Sequence, residues 1–249
     1  MLKRILKRAF LILSSPIRYS IRYELRGISD ANSQDQDIGK ILQRRATESA
    51  ADYVAKHMRD VDSVSSKLEL LTKAIKSADL EKHNLICEFG VYTGNTINHI
   101  ASLTNRTIYG FDSFEGLPER WRDGFGKGHF EVAALPKVRP NVVLIQGWFD
   151  RTLPAFIKDH DESIGFLHVD CDLYSSTRTI FELLGGRIHP GCVIVFDEYF
   201  NYPGWEECEY MAFKEFLRRT GLECEYICYN RLSEQVAVKI MSSLSMRST

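Results

Sequence analysis

The sequence predicts a doubly wound α/β domain on a mostly parallel sheet of seven strands, and three observations carry this. From residue 83 onward, short apolar runs bounded by Gly, Pro or Asp alternate with helical stretches. The runs are nearly continuous in their apolar character, as strands covered on both faces are. The last two, Glu223–Cys228 and Gln235–Lys239, are joined only by residues 229–234, too few for a helical crossover, so they form an antiparallel hairpin at the end of the sheet. The other candidate strands are Leu85–Phe89, Thr107–Phe111, Val142–Gln146, Ile164–Val169 and Val193–Phe196. Helices such as Thr96–Ser102, Ser176–Leu184 and Cys208–Thr220 fall between them.

This domain, 81–241, is preceded by two other segments and followed by a tail, 242–249. Residues 41–80 form a helical lead-in: Ala, Leu, Lys and Glu dominate, with no Pro or Gly from Ile41 to Ser77. Two helices are expected there, over 41–58 and 61–78. Residues 1–40 are a basic extension ending in the polar loop Ile28–Asp37. Its first 30 residues carry a net charge of +5 against −6 for the rest. Apolar residues at 2, 5, 6, 9, 10, 12 and 13, with cations between, suit a basic amphipathic helix. Such a helix over residues 1–26 would lie on an anionic membrane surface, pack on a partner subunit as in a homodimer, or pack on its own domain. The run Ala9–Leu13 is short for a signal sequence and no A-x-A site follows it.

Composition narrows the classes further. A net charge of −1 gives no whole-chain case for nucleic-acid binding, and no stretch approaches the ~20 apolar residues that span a bilayer. None of the six cysteines stands in a C-x-x-C pair, and several sit in apolar runs. They read as buried thiols of a reduced, cytoplasmic protein.

Ligands of such sheets collect at the carboxyl ends of the strands, and four motifs fall there. The first, Cys87-Glu88-Phe89-Gly90-Val91-Tyr92-Thr93-Gly94-Asn95-Thr96, follows a strand and opens a helix. Gly90 and Gly94 permit a sharp turn and close approach to a ligand. Glu88 is placed to accept from an ammonium group. Asn95 and Thr96 are candidate caps of a helix whose N–H groups favour a carboxylate. In the second motif, Asp112-Ser113 ends the next strand 22 positions after Gly90, which suits a carboxylate gripping ribose hydroxyls. Together these two motifs imply an adenosyl ligand. The missing third glycine of G-x-G-x-x-G and the terminal hairpin favour S-adenosylmethionine over NAD, and with it the class I methyltransferase arrangement, a Rossmann-like sheet. The third and fourth motifs, His168-Val169-Asp170-Cys171-Asp172 and Phe196-Asp197-Glu198-Tyr199, end neighbouring strands. Their acids Asp170, Asp197 and Glu198 can therefore converge, and clustered carboxylates repel unless a cation or proton joins them. Mg²⁺ would satisfy them, and one carboxylate would serve as base. His168 reads as core or as a support behind the ligands.

ICEFGVYTGNT, YGFDSFEGLPERWRDGFGKGHF, FLHVDCDLYSST and HPGCVIVFDEY resemble the macrocin O-methyltransferase family over roughly 85–239. The resemblance implies Mg²⁺-dependent methyl transfer from S-adenosylmethionine to the hydroxyl of a sugar or glycoside-type small molecule. It matches Glu88, Gly90 and Asp112 to cofactor positions and Asp170, Asp197 and Glu198 to metal-binding acids, with Asp170 the candidate base. Where that family's sugar enzymes commonly carry Asp as the third acid, this chain has Glu198. The segment 120–130 resembles a lid hinged at Gly124, Gly126 and Gly128, and Gly147-Trp148-Phe149 the adenine side. Specificity is expected from residues 1–80, the lid and 201–207, where Tyr202 and Trp205 would stack on a sugar or pack in the core.

Three other readings have sequence features of their own. Tyr210-x-x-x-Lys214 copies the Tyr/Lys pair of an NAD-dependent short-chain dehydrogenase. Asp170-x-Asp172 copies the metal motif of nucleotide-sugar glycosyltransferases. A methyltransferase-like scaffold without activity would work through residues 1–40.

Overall fold

The computed structural model describes residues 36–242. The expected amphipathic helix, its membrane or partner contact, and the C-terminal tail lie outside the described residues. No helix among the described residues is long and apolar enough to cross a membrane.

The strands are β1 (Asp62–Val64), β2 (Leu85–Phe89), β3 (Ile108–Asp112), β4 (Val142–Gln146), β5 (Ile164–Val169), β6 (Ile188–Phe196), β7 (Glu223–Asn230) and β8 (Val236–Met241). The helices are α1 (Ile38–His57), α2 (Lys67–Ser77), α3 (Asn95–Ser102), α4 (Phe149–Asp159), α5 (Tyr174–Leu184) and α6 (Glu209–Thr220). They build one sheet of order β1-β7-β8-β6-β5-β2-β3-β4. Every pairing is parallel except those of β8, which runs antiparallel to both β6 and β7. The expected hairpin is therefore present. The switch in strand order lies between β2 and β5, where the carboxyl ends of both strands open a crevice.

The central strands β2 and β5 are buried on both faces along their whole length, as their apolar runs require, while β4 and β7 are only partly covered. Leu85, Cys87 and Phe89 of β2 join a cluster with α1, α4, α5 and α6. Ile86 faces the other side and joins one with α2 and α3. The period of two along β2 thus places Glu88 on the α2/α3 face, one of the few charged groups in a fully buried strand. All six cysteines are free. Cys87, Cys171, Cys192 and Cys228 are buried, while Cys208 and Cys224 are partly so.

The sheet has eight strands, one more than expected, and the extra one comes from the lead-in. The helix expected over 61–78 starts only at Lys67, because Ser66 caps it. Ser66 Oγ accepts from the Glu69 N–H (3.2 Å), and Glu69 Oε2 accepts from the Ser65 N–H (3.4 Å), a capping-box arrangement that stops the helix from extending backward. Residues 62–64 are left extended and pair with β7 at the sheet edge, Asp62 opposite Cys228. The pattern Asp-Ser-Val is too short to register as a strand by periodicity.

A cavity at the carboxyl ends of the strands

The four motifs converge on one cavity of about 640 Å³. Gly90, Asp112, Asp170 and Asp197, each at or just past the end of its strand, all contribute to its wall.

Gly90 is the tightest point of the turn after β2. Its φ is +91°, its N–H donates to Phe111 O (2.9 Å), and a Cβ there would fall 1.6 Å from Asp170 O. Only glycine lets β2 and β5 approach this closely. Asp112 organises the turn that follows. Its Oδ2 accepts from the Val91 and Tyr92 N–H groups (2.8 and 2.9 Å), and its Oδ1 accepts from the Phe114 N–H (2.7 Å). Oδ2 is thereby saturated, and Oδ1 keeps one lone-pair site for a further donor.

Several expected residues sit differently from the expectation. Asn95 and Thr96 do not cap α3. Gly94, in the left-handed region at φ +80°, is its N-cap, and Asn95 and Thr96 are its first two residues. Both line the cavity, as do Tyr92, Thr93 and Ser113. Glu88 does not reach the wall. It is fully buried, with Oε1 accepting from Thr96 Oγ1 (2.8 Å) and Oε2 bonded to His168 Nδ1 (3.1 Å). It fixes the start of α3 from behind, and no surface of it is open to an ammonium group. Gly94 and Gly147 shape the turns without facing the cavity, whereas Trp148 and Phe149 do face it. Trp205 and Tyr202 are buried among aromatic rings instead of lining the cavity.

The acids gather beside this wall. Ligand-capable atoms of His168, Asp170 and Asp197 lie within 4.8 Å of one another; Glu198 lines the same cavity outside that group. His168 has Glu88 at Nδ1 and Asp197 Oδ1 at 3.9 Å from Nε2. Burial would lower its pKa, but the carboxylates of Asp197 and Glu88 raise it to about 10. His168 thus sits between the two acids, bonded to Glu88 through Nδ1 while its Nε2 is buried without a hydrogen-bond partner. Desolvation and the neighbouring Asp197 push Asp170 up to about 7. Burial acts upward on Asp197 as well, yet His168 and Lys67 hold it down at about 2.

Lys67 and Glu209, neither expected from the sequence, complete the cluster. Lys67 is the first residue of α2, and its Nζ lies 2.5 Å from Asp197 Oδ2 and 3.6 Å from Asp170 Oδ2. In the lead-in it is one lysine among several, with no motif to mark it. Glu209, in the first turn of α6, is completely buried. Its Oε1 accepts from the Cys171 N–H (3.4 Å) and its Oε2 from the Glu198 N–H (3.2 Å), so it ties together the loops after β5 and β6. Burial pushes its carboxyl well above the usual range. Glu209→Leu would leave both N–H groups buried and unpartnered. It is expected to lower the unfolding free energy in urea by about 3 kcal/mol. Glu209→Gln, whose amide oxygen still accepts one bond, should cost about half of that; equal stability of Glu209→Leu and the parent would refute this role.

The segment 113–130 forms the outer wall through Leu117, Trp121, Arg122, Phe125 and Phe130. Arg122 stacks 3.8 Å above the Trp121 ring and donates to Glu234 (3.1 and 3.2 Å). Gly124 and Gly128 have positive φ, a conformation glycine takes without strain, and Gly126 does not.

Residues 87–199 match a methyltransferase domain family. The chain is 30% identical over 139 residues to the 8-demethyl-8-(2,3-dimethoxy-alpha-L-rhamnosyl)-tetracenomycin-C 4'-O-methyltransferase of Streptomyces olivaceus, over 46% of this chain and 52% of that protein. It is 26% identical over 154 residues to the demethyldecarbamoylnovobiocin O-methyltransferase of Streptomyces niveus, over 51% and 58%. The chain thus spans between half and three-fifths of the curated relatives it matches. The calicheamicin methyltransferase CalS11 superposes with a TM-score of 0.55 at 20% identity, covering 93% of this chain and 95% of that one. The fold is the Rossmann-like class I methyltransferase fold. The dehydrogenase pair finds no support in the geometry: Tyr210 packs against Tyr53 and Trp205, and neither it nor Lys214 lines the cavity.

Proposed function

We propose that this chain is an S-adenosylmethionine-dependent O-methyltransferase acting on a hydroxyl of a sugar or glycoside-type small molecule, as the macrocin-type motifs imply. One observation carries the reading: a single cavity joins the Gly90–Asp112 turn to the Asp170–Asp197 acid pair. A cofactor and an acceptor hydroxyl would therefore meet there. The rhamnosyl group in one relative's name supports the substrate class.

S-adenosylmethionine, when bound, supplies the electrophilic sulfonium methyl. The N–H groups opening α3 would receive its carboxylate, Asp112 and Ser113 its ribose, and Trp148 and Phe149 its adenine. Asp170 would accept the acceptor hydroxyl's proton during the transfer. The rest of the wall orients the two reactants. The oxygen donors of Asp170, Asp197 and Glu198 suit a hard divalent ion such as Mg²⁺, and Asp197 Oδ1 and Glu198 Oε2 are buried without hydrogen-bond partners. When bound, such an ion would supply Lewis acidity to the acceptor oxygen.

Calorimetric titration with S-adenosylmethionine and with NAD tests the reading. Micromolar binding of the former is expected, weakened about a hundredfold in Asp112→Ala, which loses the ribose contact and three N–H bonds. Binding of NAD alone would overturn it. Cofactor binding without methylation of any glycoside would favour a scaffold.

A further inference from the structure

Lys67 takes carboxylate oxygens on which a metal ion at these acids would draw. Its ammonium group bridges Asp197 Oδ2 and Asp170 Oδ2, at 2.5 and 3.6 Å, and so engages an oxygen of each of two carboxylates that a divalent ion needs. On the same wall Asp197 Oδ1 and Glu198 Oε2 are buried and unpartnered, so the acids hold donor capacity that one ammonium does not use. The lysine also has a way out. Its backbone is fixed at the capped start of α2, while its side chain is 35% exposed and carries the charge on a flexible four-carbon stem.

We propose that Lys67 is the built-in counter-cation of the Asp170–Asp197 pair and that a divalent ion binds these acids only by displacing it. Two cations cannot share the same pair of carboxylate oxygens without strong mutual repulsion. The lysine therefore sets the metal affinity of the site, keeping the acid pair charge-balanced when no ion is bound. This inference needs only the residues named here and stands apart from the methyl-transfer reading.

The test is titration of the full chain with Mn²⁺, without S-adenosylmethionine, following free Mn²⁺ by electron paramagnetic resonance. Lys67→Met, which keeps the stem and removes the charge, is expected to bind Mn²⁺ at least about tenfold more tightly than the parent. Lys67→Arg, which keeps the charge, should stay within about threefold of the parent. If Lys67→Met does not fold, Lys67→Gln takes its place. Unchanged or weaker Mn²⁺ binding in the uncharged variant overturns the proposal. Calorimetry with S-adenosylmethionine on the same samples reports separately on the enzymatic reading. Cofactor binding with unaltered Mn²⁺ affinity would sink only the lysine proposal, and tighter Mn²⁺ binding without cofactor binding only the enzymatic one.

Discussion

Gly90→Ala is expected to cost about 4 kcal/mol or more of stability and to remove detectable S-adenosylmethionine binding. The added methyl would fall 1.6 Å from the carbonyl oxygen of Asp170, which is backbone and cannot rotate away, and φ at this position is +91°. Relief requires β2 and β5 to separate at the point where the cofactor turn and the acid pair meet, so both halves of the cavity suffer at once. Gly126→Ala is the control. Nothing lies within 4 Å of its Cβ position, and it should change stability by less than about 0.5 kcal/mol. Urea denaturation with calorimetry measures both. Wild-type stability in Gly90→Ala would mean that the crevice is far more plastic than its packing indicates.

Asp170→Asn should reduce kcat by about 10²–10⁴ while leaving S-adenosylmethionine affinity within a few-fold. The amide keeps the shape of the carboxyl group but cannot take the acceptor's proton. Desolvation and the adjacent Asp197 already raise this carboxyl to about 7, so it is the more basic member of the pair and suited to a proton-accepting role. Asp197, held at about 2 by His168 and Lys67, is the complementary anion. Rates within tenfold of the parent would remove Asp170 from the chemistry and direct attention to Glu198.

The sheet and its strand ends were legible because apolar runs, glycines and acids recur at fixed places along an alternating pattern. That logic located Gly90, Asp112, Asp170 and Asp197 on one cavity. It failed where the partner comes from another part of the chain. Glu88 looked like a ligand contact because it ends a strand beside a glycine turn, but its pleat direction aims it at Thr96 and His168. Glu209 is one of three acids within four residues, with Glu206 and Glu207, and only the packing of α6 buries it. Lys67 carries no local signal at all, since its partners lie 103 and 130 positions further along. Tyr202 and Trp205, legible as sugar-stacking candidates, fill the core because the 201–207 loop turns inward.

The pairing of β1 with β7 joins Asp62 to Cys228. Contacts of such long sequence separation are slow to form, because the entropy of closing the loop is lost before the contact repays it. Lys67 follows β1 by three residues, so the segment that delivers its ammonium group to the acid pair is anchored by a contact that spans 166 positions. Lys67 leaves the ribosome before β2 to β6 do, so its ammonium group meets Asp170 and Asp197 only after more than a hundred further residues have been made.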